Sequence, residues 1–198
     1  MKVRLAGNVA TSRDNGPGRR AVVWFQGCSL ACPGCFNPHT HSSTGGYEAS
    51  TQQLAGDILS RRESLEGVTL SGGEPLEQPE ALLDLLQRLS GTGLSTLLFT
   101  GLDSNELRSH RLGPLLLSHL DVAICGRFVA SLSASQGRPQ PGLVASTNQE
   151  VVFVTQRYAD SDLDDVPTAE AIVDADGQIT LTGIAPLRFA TRQRHPSR

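Results

Sequence analysis

Three of the chain's four cysteines, Cys28, Cys32 and Cys35, fall within eight residues. They follow directly on a short β-prone run, Ala21 to Gln26 (AVVWFQ), which ends at Gly27 and reads as a buried strand. Three clustered cysteines and one distant partner, Cys125, do not make a disulfide framework in a chain of 198 residues. A reducing, cytoplasmic setting and a metal or catalytic-thiol site follow. Thiolates are soft ligands that select zinc or iron–sulfur clusters. Zinc usually wants a fourth protein ligand, and His39 or His41 is near enough to complete a Cys3His module. A cubane cluster held by three cysteines leaves one iron open for an outside ligand. The spacing is compatible with both.

The cysteine loop sits in the longest stretch free of Asp, Glu, Lys and Arg, the 27 residues from Ala21 to Tyr47. That stretch is full of Gly, Ser, Pro, Asn and His, so it is no membrane span, and no other run reaches the ~18–20 apolar residues a span needs. Lys2 and Arg4 have no apolar stretch behind them, so no signal peptide is expected. A formal net charge of -3 disfavours a general nucleic-acid or anionic-membrane binder. Lys2 is the only lysine against sixteen arginines, which nearly excludes a lysine Schiff base or a phosphate-loop lysine.

Further strands are expected at Gly67 to Leu70, Leu94 to Thr100, Asp121 to Cys125 and Glu150 to Thr155, and a hairpin over Ala171 to Thr182 turning at Asp176-Gly177. Helices are expected over Ser50 to Glu63, capped by Ser50 or Thr51, over Glu80 to Leu89, and in part over Ser104 to His119, broken at Gly113-Pro114. Up to Gly126 the strand–loop–helix repeat implies parallel strands joined by crossovers. Ser131 to Thr147 reads as a long loop, and the basic end from Arg188 to Arg198 as frayed.

At this point a family resemblance becomes visible. CSLACPGC fits the Cx3Cx2C signature of the radical S-adenosylmethionine (SAM) enzymes, and Ser71-Gly72-Gly73-Glu74-Pro75, after the second expected strand, matches that family's second motif. Asn15-Gly16-Pro17-Gly18-Arg19 and Cys32-Pro33-Gly34-Cys35-Phe36-Asn37-Pro38 resemble the activating enzymes of glycyl-radical enzymes, most closely the group that activates anaerobic ribonucleotide reductase. Phe99-Thr100-Gly101, Asp121 to Phe128 (DVAICGRF), Ser146 to Gln149 and Thr182-Gly183-Ile184 resemble it too. Most radical SAM enzymes place an aromatic residue just before the third cysteine. Here that position is Gly34 and the aromatic, Phe36, follows, an arrangement the reductase-activating group shares.

The resemblance implies one α/β domain over residues 1–198, a partial (β/α)6 barrel with mainly parallel strands plus a C-terminal β-hairpin. Residues 1–128 would form the cluster- and SAM-binding core, 129–187 an extension and 188–198 a flexible tail. It implies a [4Fe-4S] cluster on Cys28, Cys32 and Cys35, with SAM on the fourth iron. SAM contacts would come from Gly34, Cys35, Phe36, Asn37, Gly72, Gly73, Glu74, Pro75, Thr100 and Gly101. It implies reductive SAM cleavage to a 5′-deoxyadenosyl radical that takes hydrogen from a glycine of a partner enzyme, the anaerobic ribonucleotide reductase first. A flavodoxin or ferredoxin would supply the electron, with no nucleic acid or membrane involved. Two rivals are a radical SAM enzyme acting on a small molecule or peptide, similar to the deazaguanine-forming (7-carboxy-7-deazaguanine synthase) enzymes, and the non-catalytic Cys3His zinc module. Cys125 is expected in the core, and His39 and His41 as polar loop residues beside the cofactor. The run Asp160, Asp162, Asp164, Asp165 fails as a calcium loop, since its sixth position lacks Gly and its twelfth is Ala171, and reads as a solvated loop.

Overall fold

The computed structural model describes residues 1–133, 143–173 and 176–184. Its strands are β1 (Lys2–Ser12), β2 (Arg20–Phe25), β3 (Tyr47–Ser50), β4 (Gly67–Gly72), β5 (Ser95–Thr100), β6 (Val122–Cys125), β7 (Glu150–Phe153), β8 (Ala169–Val173) and β9 (Ile179–Gly183). Its helices are α1 (Thr51–Leu59), α2 (Pro79–Leu89), α3 (Ser104–Ser109), α4 (Gly113–Leu117) and α5 (Asp160–Asp164). One sheet runs β3-β1-β2-β4-β5-β6-β7, and β8 pairs with β9 separately.

The centre is parallel: β2 pairs with β4, β4 with β5, and β5 with β6 in that sense. Each of these steps passes through helix, as a parallel crossover requires. The sheet is mainly parallel, as expected, but its margins are antiparallel. β1 runs antiparallel to both β2 and β3, and β7 runs antiparallel to β6. The link from Ser12 to Arg20 is too short for a crossover, so β1 and β2 can only fold back as a hairpin.

The central strands read as near-continuous apolar runs because both faces are covered. On one face Val23, Phe25, Val68, Leu70, Leu98 and Ala123 meet the stripes of α1 and α2, including Leu54, Ile58, Leu82, Leu85, Leu86 and Leu89. On the other, Leu97, Val122 and Ile124 pack under Leu143, Val144 and Leu163. Towards the carboxyl ends of the strands that second face is left open. Trp24, Ser71 and Phe99 there line a cavity rather than a core.

The amino ends of the strands are pinned by Arg20, which is 0% exposed. Its Nε donates to Thr69 Oγ1 at 2.8 Å, one Nη to Ser95 Oγ at 2.8 Å and the other to the Val68 carbonyl at 2.9 Å. Desolvation pulls its pKa down, but a guanidinium stays charged, so those bonds compensate its burial. Arg20→Met is expected to lower the unfolding free energy by about 2–4 kcal/mol, because it strands several buried acceptors at once. A urea titration of the metal-free protein reads this directly.

Several sequence expectations need correction. β1 has little sequence signature: its alternation rests on Val3 and Leu5, and Ala6, Gly7 and Asn8 then interrupt it. β3 is a four-residue edge strand carrying only Tyr47 and Ala49 as apolar residues. The acidic run is a short helix, α5, rather than a loop. Asp162 accepts from the Ala159 N–H at 2.8 Å, and acidic side chains suit a first turn. Gly113-Pro114 starts α4 rather than breaking it, because proline needs no N–H in the first turn. The loop expected over 131–147 has residues 134–142 outside the described residues, but its described end is buried at Leu143, Val144 and Ala145. The basic tail 188–198 also lies outside them. Among the described residues no helix is long and apolar enough to cross a membrane.

Candidate functional site

The cysteine loop leaves the carboxyl end of β2 and is closed at its base. Gly27 N–H donates to the Thr40 carbonyl at 2.8 Å and Cys28 N–H to the His41 carbonyl at 3.1 Å. Buried Gln26 adds its amide to the carbonyls of Ser42 at 2.7 Å and His39 at 3.1 Å. Inside the loop Cys35 N–H turns back to the Cys32 carbonyl at 3.0 Å. Ala31 takes a left-handed φ of 45°, a strain of about 1–2 kcal/mol for a residue with a Cβ. A closed base lets the loop hold that strain and present three half-buried thiols to one cavity.

The SGGEP turn at the end of β4 lies against this base. Gly73 N–H donates to the Phe25 carbonyl and Glu74 N–H to the Gly27 carbonyl, both at 2.8 Å. Glu77, just beyond, accepts from the Ser29 N–H. The contact is too close for side chains. A Cβ on Gly73 would stand 2.2 Å from the Gly27 oxygen, and one on Gly72, whose φ is +104°, 2.5 Å from the Phe25 nitrogen.

Glu74 is 2% exposed and joins the third strand end to the first two. Its Oε1 accepts from Leu76 N–H at 3.0 Å and from the Thr100 hydroxyl at 2.9 Å, and its Oε2 from Gly101 N–H at 2.7 Å. Burial pushes its pKa up, while those three donors oppose the rise. The carboxylate is therefore a strut that fixes Thr100 and Gly101 beside the GGEP turn.

The resulting cavity encloses about 570 Å³. Cys28, Cys32, Cys35, Phe36, Asn37, Gly72, Gly73, Glu74, Thr100 and Gly101 all line it. Gly34 and Pro75, grouped with them from the sequence, do not. Gly34 makes the turn before Cys35 and faces Ala130, and Pro75 is buried behind Glu74. His39 and His41 also line it, and the Nε2 of His41 is buried without a partner. Among the described residues no group of three or more His, Cys, Asp or Glu side chains converges as a ready single-ion site.

Burial pushes the Cys28 and Cys35 thiols up, and Glu74 and Glu77 add to the rise at Cys28. One cation approaches Cys32 from elsewhere: Arg127, just after β6. It is forked onto Glu106 at 2.9 and 3.1 Å, so its charge is largely spent there. Three soft donors around a roomy cavity fit an iron–sulfur cluster. Cys125 stands apart, 1% exposed in the core with its thiol pushed to about 12 by burial. In the metal-free protein at about pH 8, iodoacetamide should therefore label the three loop cysteines and spare Cys125 until the chain unfolds. Intact-mass measurement with and without denaturant counts the adducts.

The sequence reading missed other cavity residues. Phe128 packs its ring edge-on to Phe36, centroids 5.2 Å apart. Gln149 lines the wall and ties three backbone groups, accepting from Ala145 N–H and Ser146 N–H and donating to the Gly126 carbonyl. Both lie in segments noted only for their resemblance. Asp14, Asn15 and the end of β9 were not expected there, since nothing local in the sequence places a C-terminal hairpin beside residues 14–15.

Comparison with known proteins agrees with this geometry. The 4Fe-4S single cluster domain family matches residues 14–152. The pyruvate formate-lyase-activating enzyme of Clostridium pasteurianum is 42% identical over 90 residues, 43% of this chain and 38% of that one. The anaerobic ribonucleoside-triphosphate reductase-activating protein of Haemophilus influenzae is 33% identical over 144 residues, 68% of this chain and 88% of that one. Its Escherichia coli K12 counterpart is 32% identical over 146 residues, 69% and 90% of the two chains. The crystal structure of QueE from Escherichia coli overlaps 51% of this chain and 53% of that one at 20% identity and a TM-score of 0.42, a likeness too slight to bear on the fold. With a family match over residues 14–152 and two reductase-activating relatives aligned over 88% and 90% of their own lengths, the chain belongs to the 4Fe-4S single cluster domain family of radical SAM activating proteins.

Proposed function

We propose that this chain is a radical SAM activase that installs a glycyl radical on a partner enzyme, anaerobic ribonucleotide reductase first among the candidates. The observation that carries the reading is that the three cysteines and the SGGEP turn line one cavity, locked by the Glu74 N–H to Gly27 carbonyl bond. Cys28, Cys32 and Cys35 hold the cluster. Phe36, Asn37, Gly72, Gly73, Thr100 and Gly101 form the bed for SAM, with Gly34 and Pro75 shaping it from behind. When bound, the cluster and SAM together supply one low-potential electron and a carbon-centred radical able to take hydrogen from a glycine Cα.

The chain's own part is positioning. The glycine pair lets the SGGEP turn close against β2 and the base of the cysteine loop, where any side chain would strike main chain. Glu74 holds the Thr100–Gly101 wall at a fixed distance from the cysteine loop. Phe128, edge-on to Phe36, steadies the aromatic residue that follows the third cysteine. The central parallel strands support a partial (β/α)6 barrel in one domain, open enough for a loop of a macromolecule to reach the cluster. A cytoplasmic site and a flavodoxin or ferredoxin donor complete the reading, with no nucleic acid or membrane partner.

The test is anaerobic reconstitution with iron and sulfide, then incubation with reductant, SAM and each glycyl-radical enzyme of the source genome. A glycyl-radical paramagnetic signal is expected with one of them. SAM cleavage without that signal for every partner overturns the activase reading, and a colourless protein holding zinc and no iron overturns the cluster.

A further inference from the structure

Among the described residues two buried side-chain atoms have no hydrogen-bond partner, Asp14 Oδ2 and His41 Nε2, and both residues line the cavity. A buried polar atom left unpaired costs folding free energy, and in a folded chain it marks a place that a ligand completes. Asp14 belongs to the link between β1 and β2, at the amino end of β2, whereas the cysteine loop leaves the carboxyl end. His41 belongs to the closure of the cysteine loop itself. Its carbonyl accepts from Cys28 N–H at 3.1 Å, and its own N–H donates to the Pro38 carbonyl at 3.2 Å. Both main-chain groups of His41 are therefore fixed, one of them to the first cysteine of the motif.

His39, two residues earlier, also lines the cavity but is exposed, so water can serve its ring. Water does not reach the buried Nε2 of His41. A neutral imidazole carries one N–H, and with the hydrogen at Nε2 this atom is a donor. The other role, a lone pair on a single metal ion, has no support, since no three His, Cys, Asp or Glu side chains among the described residues converge as such a site. The donor therefore needs an acceptor that the chain does not bring. The thiols already have main-chain donors: against the burial that raises Cys28 and Cys35, the N–H groups of Leu30 and Ala31 act on Cys28 and that of Asn37 on Cys35. The inorganic sulfides of a cluster would add further acceptors, and negatively charged ones.

We infer that His41 donates its Nε2–H to a sulfur of the cluster and raises the cluster's reduction potential. The inference rests on the cluster part of the activase reading and adds to it a residue that sets how readily the cluster is reduced. Its basis is charge. On reduction the cluster takes one electron from the reductant, and the added negative charge is spread over iron and sulfur. An N–H donor on sulfur binds that more negative state better, so it favours reduction. His41 ligates no iron and keeps its proton throughout. It is a positioning residue, anchored through its main chain to Cys28 and acting through the sulfur it meets.

The test is an anaerobic redox titration of the reconstituted full chain with dithionite, without SAM or partner, read from the paramagnetic signal of the reduced cluster. His41→Phe keeps a planar ring and removes the donor. At a fixed potential its ratio of reduced to oxidised cluster should fall about tenfold, a shift of about 59 mV for one electron. His41→Gln keeps an N–H donor at similar reach and should stay within about threefold of wild type. Metal-free His41→Phe should unfold at no lower urea concentration than metal-free wild type, since it leaves no donor buried and unpaired. Equal potentials for wild type and His41→Phe overturn the inference and leave the cluster reading intact. Equal shifts in the two variants overturn it too, for then the N–H is not what counts. An unchanged potential with weaker SAM binding in His41→Phe would make SAM the partner of His41, and that also overturns it. Wild type that takes up zinc and no iron overturns the cluster reading itself.

Discussion

Cys32→Ala is expected to give a folded, colourless protein that retains only traces of iron after reconstitution and cleaves SAM at background rate. The loss should be on the order of a thousandfold or more, about 4 kcal/mol in the chemical step. Two features make this a test of ligation rather than of folding. The loop is closed by Gly27 to Thr40, Cys28 to His41 and the Gln26 amide, none of which uses the Cys32 side chain. The Cys32 carbonyl that receives the Cys35 N–H is main chain and survives the substitution. The metal-free variant should therefore unfold within about 0.5 kcal/mol of the metal-free wild type. Cys125→Ser is the converse case. It should keep the full iron content but lose about 1–3 kcal/mol, because a hydroxyl replaces a thiol in a core position that is 1% exposed. Iron and sulfide analysis beside a urea titration separates the two. If Cys32→Ala held as much iron as wild type, the thiol assignment would be wrong.

The parts of the site legible in the sequence are those whose chemistry is local. Cys28, Cys32 and Cys35 lie on one loop, and Gly72-Gly73-Glu74 on one turn, so residue type and spacing carry the message. The apolar runs of β2, β4, β5 and β6 were legible because both of their faces are buried. What the sequence hid is long-range. β1 alternates over only a few residues before small side chains blur it, and its place in the sheet comes from pairing with β2 and β3. The Arg127–Glu106 fork joins residues 21 apart, and the meeting of Asn15 with Thr182 spans 167. Glu74 was legible as a motif residue, but its role as a strut depends on Thr100 and Gly101, which only the parallel pairing of β4 with β5 brings alongside.

Gly73→Ala is expected to cut SAM cleavage by about a hundredfold, the size of effect that follows from displacing a reacting site by about 1 Å. The new methyl would stand 2.2 Å from the Gly27 oxygen and 3.1 Å from that of Thr40, both main chain. Main chain cannot rotate away, so either the SGGEP turn lifts off or Gly27 moves and carries Cys28 with it. Both routes break the Glu74 N–H to Gly27 carbonyl bond that registers the two motifs. Gly101→Ala is the control at the opposite wall. Its methyl would meet Leu30 Cδ1 at 2.3 Å, the end of a flexible side chain that can swing to another rotamer. It should cost less than about tenfold in rate, since the Leu30 rotamer and not the main chain gives way. Measured as 5′-deoxyadenosine formed per cluster, a Gly73→Ala rate within threefold of wild type, or a Gly101→Ala rate below that of Gly73→Ala, would show that the close approach of the turn to the cysteine loop is not what aligns the site.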